Sequence, residues 1–287
     1  MLQRIVGFRQ ALQGFATAQG TQSQGHIKPL HRHIALRLVC EGGFLPEEIT
    51  PRPPLCACKG KGRLGWRLEY QPTAETGSEL TVFGGMKTKQ IDVVVVKPTI
   101  GPVLAISVKG TVNAYRNLTN RMEEAVGDST NIHVMYPGLV YGFLHVLRAN
   151  REKEGSDRRD VGVLANGTVS PLIERYAAAL REMTGRRLVR DDPSGYEAIA
   201  VAIVENDGPQ TGMVLDGFPA PDADLAMQRF FPTLYRVYDS RFPFRGEGVA
   251  EAPRRCWSPD SPLFAELEKD LGPAWEAELG IEARLSP

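Results

Sequence analysis

The sequence predicts an α/β fold in which a mixed central β-sheet is flanked by helices. Three observations carry that expectation. Two short runs rich in β-branched residues, 91–96 and 103–108, are separated only by Lys-Pro-Thr-Ile-Gly-Pro, as two adjacent buried strands joined by a turn would be. Two further apolar runs of strand length lie within 139–147 and 196–205. Segments with apolar residues at 3–4 spacing alternate with these runs, and one of them opens on Ser170-Pro171, an N-cap followed by the first helical residue.

The remaining elements follow in order. Ile5, Phe8, Ala11, Leu12 and Phe15 predict an amphipathic helix that fades into the polar linker Gly20-Thr-Gln-Ser-Gln-Gly. Residues 31–40 read as a second helix, stopped by Glu41-Gly42-Gly43, and the prolines of 46–54 make that stretch irregular. Residues 66–70 and 80–83 are expected to pair as the first hairpin of the sheet, with Glu75 and Glu79 exposed in or near its turn. After the central strand pair, 115–126 reads as a helix closed by Gly127-Asp128. A turn at Pro137-Gly138 then leads into a buried strand expected beside the second strand of the pair. A helix over 171–184 and a strand over 196–205 complete the sheet; 224–239, 261–271 and 273–283 are helical in character. The division expected is an N-terminal helical and irregular arm (1–64), a core (65–206), and a C-terminal loop and helical extension packed on it (207–287).

Composition bounds function only loosely. With 42% hydrophobic residues in 287, the chain can bury a sizeable core. Lys+Arg and Asp+Glu are equal at 34, so any nucleic-acid surface must be local. No apolar run reaches membrane-spanning length and the N-terminus lacks a signal-peptide core, which makes a soluble cytoplasmic protein the expectation. Cys56 and Cys58, with His26, His31, His33 and Cys40 upstream, offer enough nitrogen and sulfur for zinc, but their spacing fits none of the usual patterns. His133 and His145 read as packed or hydrogen-bonded core histidines.

The strand pair carries polar residues where apolar ones would pack better. Asp92 opens the first strand, Ser107 and Lys109 end the second, and Glu123 and Glu124 sit on the following helix. Converging acids suit a divalent cation with hard oxygen preferences such as Mg²⁺. A lysine beside it suits the charge that develops when a phosphodiester is attacked.

Asp92, a hairpin and Ser107-Val108-Lys109 resemble the catalytic motif of the PD-(D/E)xK nuclease superfamily, an acid followed after a variable gap by acid-x-Lys. The chain departs from it twice: Gln90-Ile91 precede Asp92 where proline is typical, and Ser107 stands at the second acid. One group of type II restriction endonucleases carries Ser-x-Lys and places the missing carboxylate on the next helix, thirteen intervening residues after the lysine. Here that position is Glu123. The resemblance covers about 45 of the 287 residues and implies a restriction-endonuclease-like core. It further implies Mg²⁺, replaceable by Mn²⁺, held by Asp92, Glu123 and the Val108 carbonyl. Lys109 would neutralise the transition state and orient water, and Ser107 would tune the site through its hydroxyl. Base-reading residues map to Asn113, Arg116, Asn117 and Asn120. Lys59, Lys61 and Arg63, in the glycine-rich run 59–65, suit a phosphate backbone. The substrate implied is double-stranded DNA and the assembly a homodimer, with a role in restriction. The rival reading is a DNA-binding protein with a decayed nuclease core.

Arg116, Asn120, Glu123 and Gly127 share one face of the expected helix, which would bring Glu123 to the site. The same stripe would equally make a solvated face. Glu124 is the alternative to Glu123, and Glu41 a candidate for a further acid from the helix before the sheet.

Overall fold

The computed structural model describes residues 5–18, 24–60, 65–77, 79–243 and 252–287. Its centre is a five-stranded mixed sheet. The strands, in their order across the sheet, are Ile49–Thr50 (β1), Val93–Lys97 (β6), Gly101–Thr111 (β7), Val140–Arg148 (β8) and Ala198–Val204 (β9). Neighbours among the first three are antiparallel; β7, β8 and β9 run parallel. The parallel steps need crossovers, which helices Leu118–Met135 (α3) and Pro171–Glu182 (α4) supply.

Period-two alternation sends side chains into two separate cores. On one face Val95, Ile106, Val108, Leu144 and Ala200 pack against helices Phe8–Thr17 (α1), Lys28–Cys40 (α2) and Met227–Arg241 (α5). On the other, Val94, Ala105, Tyr141, Phe143 and Val201 pack against α3 and α4. The alanines of β9 and Gly142 of β8 keep the first face low enough for α5. A Cβ at Gly142 would stand 2.8 Å from the Phe230 ring.

The expected domain division does not hold as drawn. The first core runs continuously from Ala11 to Ile281, and β1 belongs to the sheet. The N-terminal segment is thus a structural layer rather than an arm. The C-terminal segment packs on the sheet through α5, with helices Pro262–Leu271 (α6) and Trp275–Leu279 (α7) beyond it.

Two elements differ from expectation. Strand Trp66–Tyr70 (β3) does not pair with residues near 80; it pairs with Leu55–Lys59 (β2) in a separate ribbon. Its outer partner is the C-terminal segment, where Ser258 donates to the Trp66 carbonyl. Strand Leu80–Val82 (β4) pairs instead with Lys89–Ile91 (β5), directly before Asp92. The other difference is α3, which runs through Gly127-Asp128 to Met135 because Asp128, Ser129 and Ile132 continue its buried face.

The three arginines of 186–190 are partly structural. Arg186 is buried and donates to Glu197, a carboxylate that also accepts from the Tyr141 amide and pairs with Arg241 at 2.6 Å. No described helix is long and apolar enough to cross a membrane.

Candidate active site

The site begins with strand register. At the β6–β7 turn Lys97 pairs with Gly101 and Val96 with Pro102; continued unbroken, that register would set Ile106 opposite Asp92. A bulge at Val95/Val96 shifts the pairing by one, so that Val93 faces Ile106 and the next position, Asp92, faces Ser107. β6 ends there while β7 continues to Thr111, leaving Ser107 to Thr111 without a strand partner on that side among the described residues.

Asp92 fills the vacated edge. Its Oδ2 accepts from the Val108 amide at 2.7 Å and from Ser107 Oγ at 3.3 Å. In an extended strand a residue's N–H and C=O point the same way. The Val108 carbonyl therefore also faces the open edge beside Asp92, as a metal-ligating carbonyl requires. Lys109, two residues beyond Ser107, shares its face of β7. The strand register thus brings Asp92, Ser107, Val108 and Lys109 together.

Glu123 is not among them. Ala125, two residues on, packs into the core beneath α3, and two residues on a helix are about 200° apart. Glu123 is exposed on the far side, with Arg116 and Asn120. The stripe exists, but it faces water. Glu124 and Asp128 lie toward the site instead. Partial burial pushes the Glu124 carboxyl up, but Arg121, bonded to it at 2.8 Å, pulls it below its usual range with help from Lys109 and Lys89. Asp128, read from sequence as part of a helix stop, is buried and pairs with Lys89 of β5 at 2.5 Å. Tyr141 lies near Asp128 and Asp92, and burial plus those two charges push its phenol far up.

The helix before the sheet contributes a histidine. Glu41 lies at the far end of α2, paired with Arg37 at 2.5 Å, and takes no part. His31, near the start of α2, is 2% exposed, and its Nε2 stands 3.7 Å from Asp92 Oδ1. Burial holds the imidazole below its ordinary value; Asp92 opposes that and Lys109 adds to it. Glu79, expected to be exposed, is half-buried beside the same pair. Nothing in a lone histidine or a turn glutamate distinguishes them in sequence.

The remaining candidates lie at the surface. Asn113, Arg116, Asn117 and Asn120 are exposed around the start of α3. Lys59 is exposed at the end of β2; Lys61 and Arg63 lie outside the described residues. Of the zinc candidates, Cys56 and Cys58 cluster with Glu69 on the β2–β3 ribbon, away from the histidines. His33 hydrogen-bonds the Val6 carbonyl, and burial pushes the Cys40 thiol up to about 12, which leaves it inert. His145 lies in the core below Lys109, between Thr111 Oγ1 at 2.9 Å and the Tyr176 hydroxyl at 2.5 Å. His133 is likewise buried, bonded to Ser129 and the Pro193 carbonyl.

No family model matches the chain, and neither does any curated protein or solved structure.

Proposed function

We propose that the protein is a metal-dependent endonuclease of restriction-endonuclease-like type, hydrolysing phosphodiester bonds of double-stranded DNA. The observation that carries this reading is the register of Asp92 against Ser107-Val108-Lys109 at an edge where β6 has ended. A structural aspartate needs no lysine beside it at the end of a strand.

Within the motif, Asp92 Oδ1 and the Val108 carbonyl are the groups that would face a divalent ion, because Oδ2 is occupied by Val108 and Ser107. That ion would polarise the scissile phosphate and activate water. Ser107 and the Val108 amide fix the carboxylate's orientation, as partners of metal ligands do. The Lys109 ammonium stabilises charge growing on the phosphate oxygens. The exposed Asn113, Arg116, Asn117 and Asn120 offer donors suited to base edges and phosphates. Cutting both strands calls for two such centres, so the reading carries a homodimer with it; sedimentation at micromolar protein should show twice the monomer mass.

One observation favours the rival, a DNA-binding protein with a decayed core. Glu123 faces solvent and does not restore the acid that Ser107 replaces. Supercoiled plasmid and genomic DNA, incubated with Mg²⁺ or Mn²⁺, separate the two. Metal-dependent fragments from the wild type, reduced by about 10²-fold or more in Lys109→Ala, support the nuclease. DNA binding that persists in EDTA without cutting in either metal supports the rival.

A further inference from the structure

We propose that His31, Glu79 and Asp92 form a divalent-metal site whose imidazole ligand makes it prefer Mn²⁺ and similar borderline ions to Mg²⁺. The inference shares Asp92 with the nuclease reading and deepens it, but metal binding can be measured without cleavage.

The geometry is that of ligands waiting for one ion. One ligand atom from each residue lies within 4.8 Å of the others. Two ligands of one ion with bonds of about 2.1 Å stand between about 3.0 Å (cis) and about 4.2 Å (trans) apart, so side-chain shifts of about an ångström or less close the set. The 3.7 Å between His31 Nε2 and Asp92 Oδ1 is too long for a hydrogen bond and lies within the range open to two ligands of one ion.

The polar accounting points the same way. Among the described residues, both ring nitrogens of His31 are buried without a hydrogen-bond partner, and so is Glu79 Oε1. Buried polar atoms are nearly always satisfied, and leaving one bare costs stability. Here His31 turns such an atom toward the Asp92 carboxylate, and Glu79 brings a carboxylate oxygen within 4.8 Å of both. Asp92 divides its oxygens accordingly: Oδ2 is spent on Val108 and Ser107, and Oδ1 is turned toward His31.

The donor set decides the metal. Mg²⁺ favours oxygen ligands and retained waters, whereas imidazole suits the transition-metal ions. One nitrogen and two carboxylate oxygens with room for water fits Mn²⁺, Co²⁺ or Zn²⁺ better than Mg²⁺.

The test is calorimetric titration of the metal-stripped full chain with MnCl₂ and with MgCl₂, alongside spin-echo spectra of the bound Mn²⁺. The expected result is one Mn²⁺ per chain, bound at least about tenfold more tightly than Mg²⁺, with nitrogen modulation from a coordinated imidazole. His31→Gln should lose the modulation and weaken Mn²⁺ about tenfold or more while changing Mg²⁺ affinity little. Glu79→Gln, at a half-buried position, should weaken both ions and keeps the test valid where His31→Gln fails to fold. Equal affinity for the two ions in the wild type, or unchanged Mn²⁺ binding and modulation in His31→Gln, would overturn the site. Cleavage read in parallel separates the two proposals. Mn²⁺ bound through His31 with no cutting sinks the nuclease and keeps the site. Mg²⁺-dependent cutting with Mn²⁺ binding indifferent to both substitutions does the reverse.

Discussion

The two helices that flank the central strand pair, α2 and α3, contrast in what their polar residues do. α2 is buried along most of its length, from Leu30 to Cys40, and the histidine near its start has nowhere to go but inward. α3 has a polar stripe of the sort that invites a catalytic reading, and that stripe is its solvated side. A polar residue inside an apolar helix is constrained by its neighbours and must meet something polar. One within a polar stripe is under no such constraint. Burial of the rest of the element, more than the pattern of the polar residues themselves, marks which side chain reaches a site.

The largest effect expected from breaking this arrangement is at Asp92, where the strand edge and α2 meet. Asp92→Asn keeps an oxygen for the Val108 amide and removes the charge. Cleavage should fall on the order of 10³-fold while the melting temperature stays near that of the wild type. A loss below about tenfold would mean that the carboxylate serves the strand edge and not the chemistry.

Much of the strand centre is legible in the amino-acid sequence. Asp92 and Lys109 stand on runs whose length and β-branched content admit few placements, and a strand leaves only two faces to choose between. The one-residue bulge that sets Ser107 against Asp92 is not legible, since Val-Val-Val-Val gives no sign of where a register breaks. The helix glutamate fails for a different reason. Spacing of 3–4 groups Arg116, Asn120 and Glu123 on one face correctly but carries no information about where that face points. The first hairpin is misplaced by pattern alone because β2, β3, β4 and β5 are all three to five residues long. Pairing among such short strands is decided by distant packing, here the C-terminal segment against Trp66.

A second, smaller effect concerns what lies under α3. His145 pairs with Lys109 across the β7–β8 ladder, and burial pushes its imidazole down to about 3, with Arg121 of α3 and Lys109 adding to the shift. The unfolded chain takes up this proton near 6.5 and the folded chain does not until about 3. Stability from this group is therefore complete above the unfolded value and is lost progressively as pH falls through that window. Between pH ~7.5 and ~5 the loss should be about 2 kcal/mol. Urea midpoints at the two pH values check it, and His145→Gln, which still offers Thr111 and Tyr176 a polar partner, should flatten the dependence by that share. An unchanged slope in the variant would place the titration elsewhere.

The smallest effect bears most directly on the contrast between the helices. Glu124→Gln removes a carboxylate that already feels Lys109 and Lys89, and cleavage should fall about tenfold, as for groups that tune a metal site from its second layer. Glu123→Gln, one residue away, should change it less than about twofold, because the side chain stands in water on the outer face of α3. The pair is informative because propensity and charge change are the same, so the direction of the side chain and the Arg121 pair of Glu124 are what differ. A reversed result, with Glu123→Gln the more damaging, would require α3 to turn by roughly 100° or unwind at its start when DNA binds. The spacing seen in the sequence would then describe the DNA-bound state rather than the free one.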